Sequence, residues 1–136
     1  MSFASRWLAV CLFLPCAAMF LGCQGNPTAP VKGTVTLDGK AIKKGTIRFE
    51  STGRPATGRI EDGAIVEVTT FKLNDGALIG NHKVAFWASE DVAPGDPNYM
   101  SGKSLLLEKY NNPDTSGETV EIKAGLNTFE FKLFSK

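Results

Sequence analysis

From Val31 onward the chain alternates between apolar and polar residues with a period of two. In "VKGTVTL" (31–37) Val31, Val35 and Leu37 fall on one face, and Lys32, Thr34 and Thr36 on the other. "GTIRFE" puts Ile47 and Phe49 inward against Arg48 and Glu50, and "TFEFKL" sets Phe129, Phe131 and Leu133 against Glu130 and Lys132. "HKVAFWA" places His82, Val84 and Phe86 on one side and Lys83, Ala85 and Trp87 on the other. "TVEIK" contributes Val120 and Ile122, "IVEVTT" places Val66 and Val68 together, and "ATGRIE" (56–61) is a weaker seventh run. A backbone with this repeat presents every second side chain to the same face, so it folds as strands buried on one side.

The punctuation fits strands. Asp38-Gly39, Asp62-Gly63 and Asp75-Gly76 are pairs in which glycine supplies a positive φ and Asp tolerates one, as tight hairpins require. Asp62-Gly63, lying directly between two runs, is the best of them. Short strands at this density of turns indicate an all-β sandwich or barrel. No segment carries a clear amphipathic helix; "SGKSLLLEKY" (101–110) has room for a turn or two, but its leucines lack a 3.6 period.

The start of the chain has a different grammar. Residues 7–22, "WLAVCLFLPCAAMFLG", form sixteen uncharged residues containing Pro15. That is short of the roughly 20 residues of a membrane-crossing helix and suits the apolar core of a secretory signal. "FLGC" (20–23) resembles the bacterial lipobox, with Phe20 where leucine is usual. The resemblance implies that Cys23 is diacylated on its thiol, that the bond before it is cut, and that Cys23 becomes the first residue. One acyl chain holds a protein marginally, at about 0.8 kcal/mol per buried methylene, and two or three hold it durably. Cys11 and Cys16 would leave with residues 1–22, so Cys23 would be the single cysteine of the exported chain. An odd thiol in an oxidising compartment is a liability unless it is modified. "QGNPTAP" (24–30) then reads as a tether reaching at most about 25 Å. The expected division is a signal peptide at 1–22, a lipidated tether at 23–30 and one domain at 31–136.

The segments "VKGTVTLDGKAIKKGTIRFES", "GRPATGRIEDGAIVEVTT", "DGALIGNHKVAF" and "EKYNNPDTSGETVEIKAGLNTFEFKL" together resemble the carboxypeptidase regulatory-like (transthyretin-like) domain. The likeness is greatest to the single-domain lipoproteins of this type that are numerous in planctomycete bacteria, and it runs over nearly all of residues 31–134. It implies a seven-stranded Greek-key prealbumin-like β-sandwich, lipid-anchored in the cell envelope and facing the periplasm or the cell surface, with no activity attached to the group.

Residue chemistry offers little to an enzyme. Fifteen basic residues stand against fourteen acids, and loss of residues 1–22 removes Arg6 alone, leaving fourteen of each. Such a chain has no electrostatic reason to bind nucleic acid. A single histidine, His82, reads as structural, and one histidine cannot build a zinc or iron site with Cys23 consumed, so no cofactor is expected. Two enzyme families share this broad sandwich type. Hydroxyisourate hydrolases use several histidines and a tyrosine-containing tail, whereas this chain ends "KLFSK"; intradiol dioxygenases need two histidines. The remaining catalytic option is a pair of loop carboxylates drawn from Glu90, Asp91 and Asp96, or from Asp114 and Glu118.

The connection between the strands ending near Ala88 and beginning near Thr119 is long for a small domain, and long loops are often functional. Two readings are open for it. In one, Tyr110 packs against the sandwich edge like a tyrosine corner and Asn112-Pro113-Asp114 turns the chain into the next strand. In the other, Trp87, Tyr99, Tyr110, Asn111 and Asp114 form a surface for an envelope protein or a glycan. The expected function is a non-catalytic, membrane-anchored interaction or structural module, with a carbohydrate-binding module and a loop-carboxylate hydrolase as alternatives.

Overall fold

The computed structural model describes residues 27–90 and 102–136. The signal peptide, Cys23, most of the tether, Asp91, Asp96 and Tyr99 lie outside the described residues. The fold is all-β. In chain order the strands are β1 Thr28–Ala29, β2 Val31–Leu37, β3 Lys40–Ala41, β4 Lys44–Glu50, β5 Ala56–Glu61, β6 Ala64–Thr69, β7 Ala77–Leu78, β8 Gly80–Ala88, β9 Thr119–Ile122 and β10 Asn127–Leu133. Each of the seven alternating runs is a strand. The helical structure among the described residues is one 3₁₀ turn, Glu108–Asn111.

The main sheet has the order β10-β2-β6-β5-β4-β8-β9, with β3 added to β2, while β1 and β7 pair separately. All its pairings are antiparallel except β10 with β2, which run parallel from Asn127↔Val31 to Leu133↔Leu37. The sheet curls over its own apolar face. Phe86 on β8 and Phe131 on β10, far apart along the strand order, meet with ring centroids 5.1 Å apart at 67°, an edge-to-face geometry favoured by the ring quadrupoles. Around that contact Val35, Ile47, Phe49, Ile60, Val84, Ile122 and Leu133 are almost wholly buried, and Phe129, Val120 and Leu37 pack against them.

Two Asp-Gly pairs form the expected hairpins. Asp38 and Gly39 have φ of 51° and 81°, Asp62 and Gly63 have 48° and 80°, and the flanking residues pair as Leu37↔Lys40 and Glu61↔Ala64. Positive φ at both central residues defines the type I′ turn, whose twist matches that of the strands. The third pair does something else. Asp75 turns its carboxylate into its own loop, accepting the N–H groups of Thr70 (2.7 Å), Phe71 (3.0 Å) and Lys72 (3.0 Å). Gly76, at φ 87°, lies so close to the β1 backbone that a Cβ there would stand 1.9 Å from the Ala29 carbonyl oxygen.

Two expectations need correction. Val66 and Val68 do not share a face: Ile65 and Val68 are buried and Val66 is half-buried. The cause is a bulge opposite Thr57–Arg59, where Glu67 takes φ 53° and shifts β6 by one residue. Arg59 holds the bulged Glu67 and also Glu61, each at 2.9 Å. Ordered structure also starts before residue 31, since Thr28 and Ala29 pair with Leu78 and Ala77 and Ala29 is buried. Of the two readings open for Tyr110, its burial agrees with the packed one. Its ring meets Phe86 edge-on and its hydroxyl accepts the Phe134 N–H at 3.1 Å, joining the long connection to the end of β10.

Two expected outcomes test this account. At Gly33 the β2 backbone approaches β10 so closely that a Cβ would lie 2.2 Å from the Phe129 carbonyl oxygen. Gly33→Ala should destabilise the domain by about 1–3 kcal/mol in a denaturant titration; an unchanged midpoint would show that the two strands are not held at this spacing. The second concerns acid. Burial opposes ionisation of Asp75, but the backbone N–H donors of Thr70, Lys72 and Phe71 outweigh it and hold the carboxyl below its ordinary 3.8. A depressed folded value contributes stability above the unfolded pKa of about 3.9 and loses it as pH falls through the folded value. Asp75→Asn should therefore be less stable at neutral pH and show a shallower loss of stability below that range, measured by denaturation across pH.

Candidate functional site

Strand β8 lies between β4 and β9, and its alternation sorts its chemistry. His82, Val84 and Phe86 face the core, while Asn81 and Lys83 are exposed on the other side. Register sets Lys83 between Glu50 of β4 and Thr119 of β9, and Asn81 beside Glu121. The turn at 112–114 closes one flank. Asn112 Oδ1 accepts the Asp114 N–H at 2.9 Å, the self-bonded turn expected of Asn before Pro-Asp. Ser116 ties the following loop to β8 by donating its hydroxyl to the Val84 carbonyl and accepting the Glu118 N–H. The result is an open groove of about 850 Å³ lined by Glu50, Ser51, Thr52, Asn81, Lys83, Asn112, Asp114, Thr119 and Glu121 among others.

An ion pair crosses this groove, Lys83 Nζ to Asp114 Oδ1 at 2.6 Å, with both side chains more than half exposed. The hydrogen bond to Asp114, followed by its charge, raises the Lys83 pKa above 10.5. A lysine held as ammonium in this way serves as a cation and donor, and not as a nucleophile or general base. The groove therefore offers one cation, three carboxylates, two amides and several hydroxyls on a rigid sheet face. That is the equipment of a polar recognition surface.

The surface expected from sequence is divided by the structure. Asp114 belongs to this groove. Trp87, half-buried, and Asn111 share a second groove of about 400 Å³ with Lys44, Thr46, Ser89 and Ser104. The buried ring of Tyr110 cannot stack on a ligand, and Tyr99 lies outside the described residues. A sugar platform of Trp87, Tyr99 and Tyr110 on one face is thus not assembled among the described residues.

Of the carboxylates named for hydrolysis, Asp91 and Asp96 lie outside the described residues. In the other group Asp114 engages Lys83 at 2.6 Å, and Glu118 accepts the Val84 N–H at its backbone carbonyl. His82 is buried, and its Nε2 donates to the Leu78 carbonyl at 2.7 Å while Phe49 meets the ring edge-on. It ties β8 to β7. Among the described residues no group of three His, Cys, Asp or Glu side chains is placed to hold a metal ion.

Asn81, Lys83, Glu50 and Glu121 were not singled out from sequence. Alternation already placed Lys83, Glu50 and Glu121 outward, but bringing them into one groove needs the register of three strands and the 112–114 turn. If the ion pair sets the charge of the groove, Asp114→Asn should lower the Lys83 pKa toward 10.5 in an NMR titration of the side chain. No movement would mean that the pair does not persist in solution. In comparisons with protein-family models, with curated proteins and with solved structures, nothing matches this chain.

Proposed function

We propose that this chain is an exported, non-catalytic envelope lipoprotein, anchored by acylated Cys23, whose β-domain serves as an interaction module. The observation that carries the reading is the sequence at 20–23. An apolar run of sixteen residues ends in "FLGC", and Cys23 is the last cysteine of the chain. The early start of ordered structure supports it. Thr28 is already in a strand, so four residues lie between Cys23 and the domain. That spacing suits a domain held against a membrane.

The finer fold reading is a seven-stranded, Greek-key prealbumin-like sandwich. Its support is the presence of all seven expected strands in a sheet curled until β8 meets β10. A binding role is supported by the Lys83–Asp114 groove, with its charges of both signs on the outer face of β4, β8 and β9. An envelope protein carrying matching charges is the partner this surface fits best. Among the described residues a glycan would have Trp87 without Tyr110, whose ring is buried, which leaves the carbohydrate reading second.

Mass spectrometry of the mature amino terminus tests the anchor. The expected species begins at Cys23 and carries acyl chains, and Cys23→Ala leaves the chain unprocessed at this point. An unmodified start at any other residue would overturn the lipoprotein reading. Partners are tested by pulldown of the acylated protein from its own envelope fraction, in which Lys83→Glu with Asp114→Lys should lose whatever the native groove retains.

A further inference from the structure

Strand directions sort the loops into two poles. β2, β5, β8 and β10 begin, and β4, β6 and β9 end, at the same pole, as the registers Asn127↔Val31, Thr57↔Thr69, Phe49↔Ala56 and Gly80↔Ile122 require. The loops 51–55, 70–76 and 123–126 therefore project from the pole at which the chain enters. The entering segment is bonded to them directly. The Pro27 carbonyl accepts the Ile79 N–H (3.0 Å), Gly76 packs on Ala29, and the Pro30 carbonyl accepts the Asn127 N–H (2.9 Å).

The same pole carries most of the chain's misplaced apolar side chains. Among the described residues six large hydrophobics are exposed, and four are here: Leu73 at 79%, Leu126 at 62%, Phe71 at 50% and Ile79 at 42%. Scattered exposed apolar residues are ordinary. Four at one pole, around the entering segment, are a concentration, and grouped exposed apolar side chains mark partner or membrane contacts. The loop bearing two of them is a built projection. Asp75 gathers three backbone N–H groups, and Thr70 donates to the Gly76 carbonyl at 2.6 Å, so Phe71 and Leu73 are held outward at defined positions. The charges beside the patch include three basic ones, of which Lys123 also lies 4.0 Å from Glu121. Arg54 lies over the Phe71 ring at 5.5 Å, and Lys72 and Lys123 are exposed, while the loop's one acid, Asp75, has its carboxylate turned inward.

We propose that this pole is a lipid-contact surface, in which Phe71, Leu73, Ile79 and Leu126 enter the interface of an anionic phospholipid bilayer and Arg54, Lys72 and Lys123 meet its headgroups. The proposal rests on the reading of Cys23 as the anchor. From Cys23 to Pro27 the chain spans four residues, at most about 14 Å, so an anchored domain has this pole within reach of the headgroups. Apolar side chains flanked by Lys and Arg are what interfacial binding uses. The surface adds to the acyl anchor a fixed orientation, with the Asp38-Gly39 and Asp62-Gly63 hairpins pointing away from the membrane.

The test uses the chain from Cys23 to Lys136, which carries every described strand and core residue, in a Trp87→Phe background. Its single thiol, Cys23, is coupled to maleimide-bearing lipid in vesicles of phosphatidylethanolamine and phosphatidylglycerol. One tryptophan is then added in turn by Leu73→Trp, Leu126→Trp or Lys40→Trp. Entry into the bilayer should blue-shift the first two, bromine on the acyl chains should quench them, and the third should be unchanged by either. Uniform absence of quenching, or equal quenching at all three, overturns the proposal. So does a blue shift at Leu73→Trp that needs no lipid and grows with protein concentration, which would assign the patch to a second copy. Because the coupling is chemical, these outcomes do not depend on cellular acylation of Cys23, whose failure the mass spectrum reads separately.

Discussion

The meeting of Phe86 and Phe131 holds the architecture together. A single, mostly antiparallel sheet with one apolar face has nothing to bury that face against except itself, and no long helix among the described residues covers it. The sheet satisfies its own face by curling until β8 opposes β10. Its free ends then come near each other, and the long connection after β8 supplies the clasp. Tyr110 adds an edge contact to Phe86 and a hydrogen bond to the Phe134 N–H. Loss of that clasp would release the last strand, which pairs with β2 alone.

Most of this is legible because it is local. Strand periodicity and two of the three Asp-Gly turns depend on residues within a few positions of one another, and all seven expected strands form. What could not be read depends on choices made elsewhere in the fold. Glu67 at φ 53° is a left-handed glutamate, which no propensity favours, and it is held there by Arg59 on the neighbouring strand. Asp75-Gly76 has the letters of a hairpin, yet the carboxylate finds three N–H groups in its own loop, and the turn serves that loop. Tyr110 could be assigned to a surface or to an edge from sequence alone. Its burial follows from the curl that brings β8 and β10 together.

The candidate groove shows the same division. Alternation marks Lys83, Glu50 and Glu121 as outward, which limits them to solvent or a partner. Whether outward residues become a site depends on cross-strand register, because residues opposite each other on neighbouring strands sit about 4.5–5.5 Å apart at Cβ. Glu50, Lys83 and Thr119 are opposite in this sense, and Asp114 reaches the same lysine from a loop. Trp87 lies four residues further along the same strand and therefore opens into a different groove.

Orientation connects the two proposals. Glu50, Ser51, Asn81 and Glu121 stand at the ends of strands that terminate or begin at the entering pole, so the Lys83–Asp114 groove opens on the flank of the domain close to that pole. A cleft of about 250 Å³ between Pro27, Ser51–Gly53 and Leu78–Asn81 lies between the groove and the entering segment. If the pole rests on lipid, a partner reaching the groove approaches along the membrane surface, and the groove's accessible side is set by which loop tips are inserted. Anchor, loop tips and groove then act as one device: the first limits distance, the second fixes the angle, and the third is presented sideways to whatever shares the membrane.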